Sequence, residues 1–126
     1  MNDQEYREYS LSLLQRFCER LSKEAGNASP DDPIRQLLTG FESIAKGDNV
    51  YEKGPDLVST LFASCPQLAP LFPRELLWFL GGECLHFMPD DELLSYQQLD
   101  EIRHQAAARG EVLDYQQERA KLLKLQ

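Results

Sequence analysis

The chain has 126 residues, of which 42% are hydrophobic and 27% are charged, and its formal net charge is −8. A chain of this length and composition can bury a core of its own, which excludes wholesale disorder. The negative charge repels phosphate backbones and anionic lipid headgroups. We therefore expect no nucleic acid and no membrane among its partners.

The cysteines and the first residues of the chain indicate a reducing compartment. Cys18, Cys65 and Cys84 are odd in number and widely spaced, and no pair forms a Cys-x-x-Cys motif, which argues against a disulfide framework. The N-terminal residues are polar and acidic, with none of the apolar character of a signal peptide. These features predict free thiols and a cytoplasmic location.

The first half of the chain predicts three helices separated by polar loops. Apolar residues recur at helical spacing over residues 3–25. A second helix begins at Pro33, after an aspartate that can cap it, and ends at Gly47. Residues 47–55 predict another polar loop, and a short third helix follows over 57–65.

The segment 73–88 predicts the centre of the domain. Arg74, Glu75 and Glu83 are the only charged residues between 57 and 89. Apolar residues surround the axis of the predicted helix, as in a helix that is buried on most sides. We predict one continuous helix over 73–88.

The last third of the chain predicts two more helices. One covers 96–109 with Ser95 as its cap, and the other begins at Asp114 and ends near Leu125. No segment shows sustained alternation of apolar and polar residues, so a sheet is not expected. The resulting fold prediction is all-α: a compact bundle of five or six short, non-parallel helices around a buried central helix, in a single domain spanning 1–126.

Sequence motifs assign no enzyme class, because no phosphate-binding loop, dinucleotide fingerprint, nucleophile elbow or HExxH zinc motif is present. Two Glu-x-x-His pairs do occur, Glu83 with His86 and Glu101 with His104. Two such pairs on long facing helices hold a di-iron centre in some bundles. Here the helices are short and interrupted, so ordinary ion pairing is the favoured interpretation, and we predict no metal, no cofactor and no catalytic residues.

Two adjacent glycines interrupt the predicted central helix. Each costs ~1 kcal/mol relative to alanine inside a helix, so a compensating reason is expected. The favoured reason is close packing of a crossing helix, and the alternative is a cleft that the glycines floor. The candidate lining residues of that cleft are Trp78, Phe79, Gly81, Gly82, Glu83 and His86.

The end of the chain carries a cluster of leucines, Leu122, Leu123 and Leu125, after a polar half-helix. Burial of such a cluster is strongly favourable, so we expect it to dock on the parent core or on a second copy. Since two-fold homodimers are the commonest assemblies of soluble proteins, we predict a homodimer with these leucines at the interface.

The combined prediction is a small cytoplasmic protein-interaction module that acts as an adaptor, a regulator or an immunity-type inhibitor and whose partner is another protein. The absence of catalytic motifs and the acidic charge support this interpretation. The alternative is a helical protein that binds a small molecule or a metal near Gly81–His86, with or without catalysis.

Overall fold

A computed structural model describes residues 1–124 of the chain. Within that range six α-helices and two 3-10 helices follow one another without any strand, which confirms the predicted all-α class and exceeds the predicted count of five or six. The α-helices are α1 (Asp3–Glu24), α2 (Pro33–Ala45), α3 (Val50–Ser64), α4 (Arg74–Leu80), α5 (Asp90–Ala108) and α6 (Tyr115–Leu123). The 3-10 helices, Pro66–Leu71 and Gly82–Phe87, flank α4.

The apolar core lies between the first four α-helices. α1 packs against α2 and α4, and α2 packs against α3. At its centre the ring of Phe17 makes edge-to-face contacts with Phe41 and Phe72, at centroid distances of 5.2 and 5.0 Å. Such aromatic contacts stabilise a core beyond the area that they bury. The fully buried aliphatic residues around them include Leu14, Leu21, Ile44, Val58, Leu61, Leu76 and Leu77.

The predicted polar loop over 47–55 is wrong beyond its first residues, because α3 already begins at Val50. Gly54, which favours a loop in the sequence, is buried inside this helix. A Cβ atom added at Gly54 would lie 2.6 Å from Cδ2 of Leu80. The glycine therefore permits the close approach of α3 to α4 and does not end a helix.

The predicted continuous helix over 73–88 is also wrong. Gly81 has φ 65° and ψ −151°, and Gly82 has φ 55°, so the chain leaves the α-helical conformation at Leu80. Only glycine adopts the conformation of Gly81 without strain. The glycine pair thus breaks the helix, which is neither of the two roles expected from the sequence. The burial of Leu80 and Cys84 agrees with the predicted central position of the segment.

α5 begins at Asp90, six residues before its predicted start. Three acidic residues in its first turn favour a helix N-terminus there. The hydroxyl of Ser95 does not cap a helix and instead donates to the carbonyl of Asp91 inside α5. The predicted start of the last helix is confirmed, because Asp114 accepts a hydrogen bond of 3.1 Å from the backbone N–H of Gln117.

α5 and α6 form a hairpin that docks on α1 and α4 through an aromatic and polar seam. Tyr115 of α6 contacts Tyr6 and Tyr9 of α1, at a centroid distance of 5.6 Å for each pair. Glu75 accepts a hydrogen bond of 3.0 Å from the hydroxyl of Tyr9 and pairs with Arg119 at 3.3 Å. This seam differs from the aliphatic core, and it shapes the site described next.

Candidate binding sites

A cavity of about 410 Å³ opens where α1, α3, α4 and α5 meet, and we call it the seam pocket. Its volume falls in the range of small-molecule sites, about 300–1,000 Å³. Four aromatic residues, two arginines and two aspartates form its wall. The lining residues are Asp3, Tyr6, Arg7, Tyr51, Trp78, Phe79, Asp100 and Arg103.

Arg103 anchors the wall of the seam pocket and is only 4% exposed. Its Nη1 atom donates to Oδ1 of Asp3 at 2.9 Å, and its guanidinium lies 4.6 Å from the centroid of the Tyr6 ring. The guanidinium also lowers the pKa of Asp3 below its ordinary value, chiefly by hydrogen bonding. Arg103 therefore ties the first turn of α1 to the middle of α5.

Asp100 lies one helical turn before Arg103 and is only partly satisfied. Its Oδ2 accepts a hydrogen bond of 3.0 Å from Nε1 of Trp78. Its Oδ1 is 3.9 Å from Nε of Arg103, which is too long for a hydrogen bond. Both Oδ1 of Asp100 and Nε of Arg103 are buried, and neither has a hydrogen-bond partner within residues 1–124. Buried polar atoms normally have a hydrogen-bond partner. The wall of the seam pocket therefore contains one donor and one acceptor whose hydrogen bonds are not made within the described residues.

The aromatic residues give the seam pocket a rigid frame. Trp78 stacks on Tyr96 at a centroid distance of 6.1 Å, and Phe79 contacts Tyr6 at 5.8 Å. Tyr51 of α3 reaches Phe79 at 5.5 Å and is 57% exposed, so it forms part of the rim. The cavity is therefore lined both by these aromatic rings and by the charged side chains of the arginines and aspartates.

The cleft expected from the sequence is brought together only in part. Trp78 and Phe79 line the seam pocket, whereas Gly81, Gly82, Glu83 and His86 are not among its lining residues. The backbone reversal at the glycines carries the latter four residues into the second 3-10 helix, where Glu83 and His86 are exposed.

The polar part of the seam pocket, on α1 and α5, was not predicted from the sequence. A signal for it did exist, because Arg103 lies four residues after buried Leu99 and three before buried Ala106. A charged residue in that position is on the apolar face of an amphipathic helix, where it needs partners from other elements. Asp3 of α1 supplies such a partner with a hydrogen bond of 2.9 Å, and Asp100 of α5 itself lies 3.9 Å away.

The two Glu-x-x-His pairs do not converge on one another. His86 and Glu83 are exposed on the second 3-10 helix, and the Nε2 atom of His104 lies 3.3 Å from Asp3. Across residues 1–124, no group of three His, Cys, Asp or Glu side chains is arranged to hold a metal ion.

A second concave surface, which we call the hairpin groove, runs between the start of α5 and the end of α6, with a volume of about 470 Å³. Leu94 at its edge is 55% exposed, whereas Leu122 and Leu123 are half-buried and pack against the core. Leu125 lies outside the described residues. The lining residues are Pro89, Asp91, Glu92, Leu94, Ser95, Leu122, Leu123 and Lys124.

The three cysteines are free and buried, in agreement with the expected free thiols. Burial raises the pKa of Cys18 and of Cys84 to about 11, with smaller contributions from nearby glutamates. Since the thiolate is the nucleophilic form, both side chains are poor nucleophiles near neutral pH.

The elements and sites together define an all-α protein in which a helical hairpin docks on a four-helix core. Residues 2–126 match the PA2817-like family, and the chain belongs to that family. No curated protein and no solved structure matches the chain. None of the helices in the described part of the chain is both long and apolar enough to cross a bilayer.

Proposed function

We propose that this protein is a non-enzymatic, cytoplasmic protein-interaction module that self-associates through the hairpin groove. The observation that carries the proposal is the exposure of Leu94 beside Leu122 and Leu123, three leucines that edge one concave surface. A second copy that covers Leu94 removes apolar surface from water at about 25 cal/mol per Å².

Charges around the hairpin groove favour a second copy as the occupant. Asp91 on one side has no ion pair within residues 1–124, and Lys124 lies on the other side. In a two-fold dimer each contact occurs twice, so Asp91 of each copy meets Lys124 of the other. A surface with both signs of charge at its two edges is complementary to itself.

The histidines and cysteines, which often act as catalytic residues, are poorly suited to catalysis here, and this supports a binding role. His86 and His104 are exposed, and the raised pKa values of Cys18 and Cys84 disfavour their thiolates. A nucleophile needs an adjacent base within hydrogen-bond reach, and no such pair is formed by these side chains. An adaptor, a regulator and an inhibitor all require a surface that binds another protein.

Multi-angle light scattering of the full chain at micromolar concentration tests the proposal. We expect the wild type to be dimeric and Leu94→Asp to be monomeric, because the charge replaces the exposed apolar contact. Val112→Asp is the matched control, since Val112 is fully exposed in the loop between α5 and α6. A monomeric wild type, or an undisturbed Leu94→Asp dimer, refutes self-association through the groove.

A further inference from the structure

The charges of the seam pocket sum to zero, yet they are unevenly paired. Arg103 lies within 4 Å of both aspartates, Asp3 at 2.9 Å and Asp100 at 3.9 Å. Arg7 makes only one long hydrogen bond, 3.4 Å to the carbonyl of Gly47, and no ion pair with any carboxylate of the described residues. One part of the cavity thus has an excess of negative charge, and another part has a cation with free donors.

We infer that the seam pocket binds a small zwitterion with an aromatic body, the chemistry of a free aromatic amino acid. The ammonium group lies against Asp3 and close to Asp100, in a cavity that Trp78 and Tyr6 also line. Asp3, whose side chain is 84% exposed, offers the accessible carboxylate, whereas the buried Oδ1 of Asp100 adds its negative charge without direct contact.

The carboxylate of the ligand pairs with Arg7, whose guanidinium can donate two parallel hydrogen bonds to it. The aromatic body lies beside Tyr51 at the rim and against Phe79 in the cavity wall. A ligand with only a positive charge would face two guanidinium groups, and one with only a negative charge would face two carboxylates. Only a ligand with both charges complements the whole cavity.

Trp78 provides the readout, because it is the only tryptophan and its indole N–H bonds to Asp100 in the pocket wall. The full chain is titrated with L-phenylalanine, 2-phenylethylamine and 3-phenylpropionate, and both Trp78 fluorescence and calorimetry are recorded. We expect L-phenylalanine to bind about tenfold more tightly than either singly charged analogue, since each analogue lacks one charge-assisted contact.

Arg7→Gln removes the cation from an exposed position, so the fold is retained. It should weaken L-phenylalanine binding about tenfold. Arg109→Gln is the control, because Arg109 is exposed at the C-terminal end of α5, outside the pocket. The inference is overturned if L-phenylalanine produces no signal in either measurement, if one analogue binds as tightly, or if both variants behave alike. None of these outcomes depends on the oligomeric state.

Discussion

Arg103 is a charged residue on the apolar face of α5, and several neighbouring groups compensate for its burial. Asp3 accepts its hydrogen bond, Tyr6 covers its guanidinium, and Asp100 lies one turn away. Removal of one partner from a buried ion pair is costly because the other charge stays behind without compensation. The cost here is reduced by the exposure of Asp3, whose side chain is 84% accessible.

Arg103→Ala should therefore lower the free energy of unfolding by about 3 kcal/mol, at the lower end of the range for broken buried pairs. The change Arg109→Ala, at an exposed arginine just after the last turn of the same helix, should cost less than about 0.5 kcal/mol. Urea denaturation followed by circular dichroism measures both values. Equal effects of the two changes would contradict the anchoring role of Arg103.

The glycine pair makes a second residue-level prediction. Gly81→Ala forces alanine into a conformation that essentially only glycine adopts, at a cost on the order of 1–3 kcal/mol. Gly82→Ala should cost about 1 kcal/mol, because its φ of 55° lies in the left-handed region that other residues enter with that penalty. Thermal unfolding of the two variants should rank Gly81→Ala as the less stable, and the reverse order would contradict a helix break at Gly81.

Among the elements, those that depend on local chemistry could be predicted and those that depend on tertiary contact could not. Asp114 caps α6 by a hydrogen bond three residues along the chain, so its role is visible in the sequence. Gly54 lies inside α3 against Leu80, a close approach across 26 positions that no local pattern reports. Of the residues that line the seam pocket only Trp78 and Phe79 were predicted, since they meet Arg103 only in the folded chain.

The seam between the hairpin and α1 predicts a loss of stability in alkali. Burial raises the pKa of Tyr9 from 10.0 to about 12, and it also raises the pKa of Tyr6 and Tyr115. Between these pH values the folded chain retains protons that the unfolded chain has released. The resulting stabilisation is complete below pH 10 and is lost as the pH rises through the folded pKa of about 12.

Urea unfolding midpoints measured from pH 9 to pH 12 test this dependence. They should fall steeply above about pH 10, and more gently in Tyr9→Phe, which has no hydroxyl to ionise at the seam. The variant also loses its bond to Glu75, so it should start from a lower midpoint at neutral pH. Identical slopes for the wild type and the variant would rule out a contribution from Tyr9.

At the scale of the whole molecule, the net charge of −8 opposes association of two copies. Self-association therefore needs a local match of charge, which Asp91 and Lys124 supply at the two edges of the hairpin groove. Such pairs are screened by salt when they are exposed, so the dimer should weaken as ionic strength rises. In the proposed dimer, the apolar contact of the exposed Leu94 is not weakened by salt.

The most direct test of this account is a charge-exchange series followed by sedimentation velocity at one protein concentration. The wild type should sediment as a dimer, and Asp91→Lys should sediment as a monomer because the introduced ammonium group then faces Lys124 of the second copy. The double variant Asp91→Lys with Lys124→Glu should restore the dimer, since the attraction returns with its signs reversed. A single variant that stays dimeric, or a double variant no more dimeric than the single one, would contradict the account.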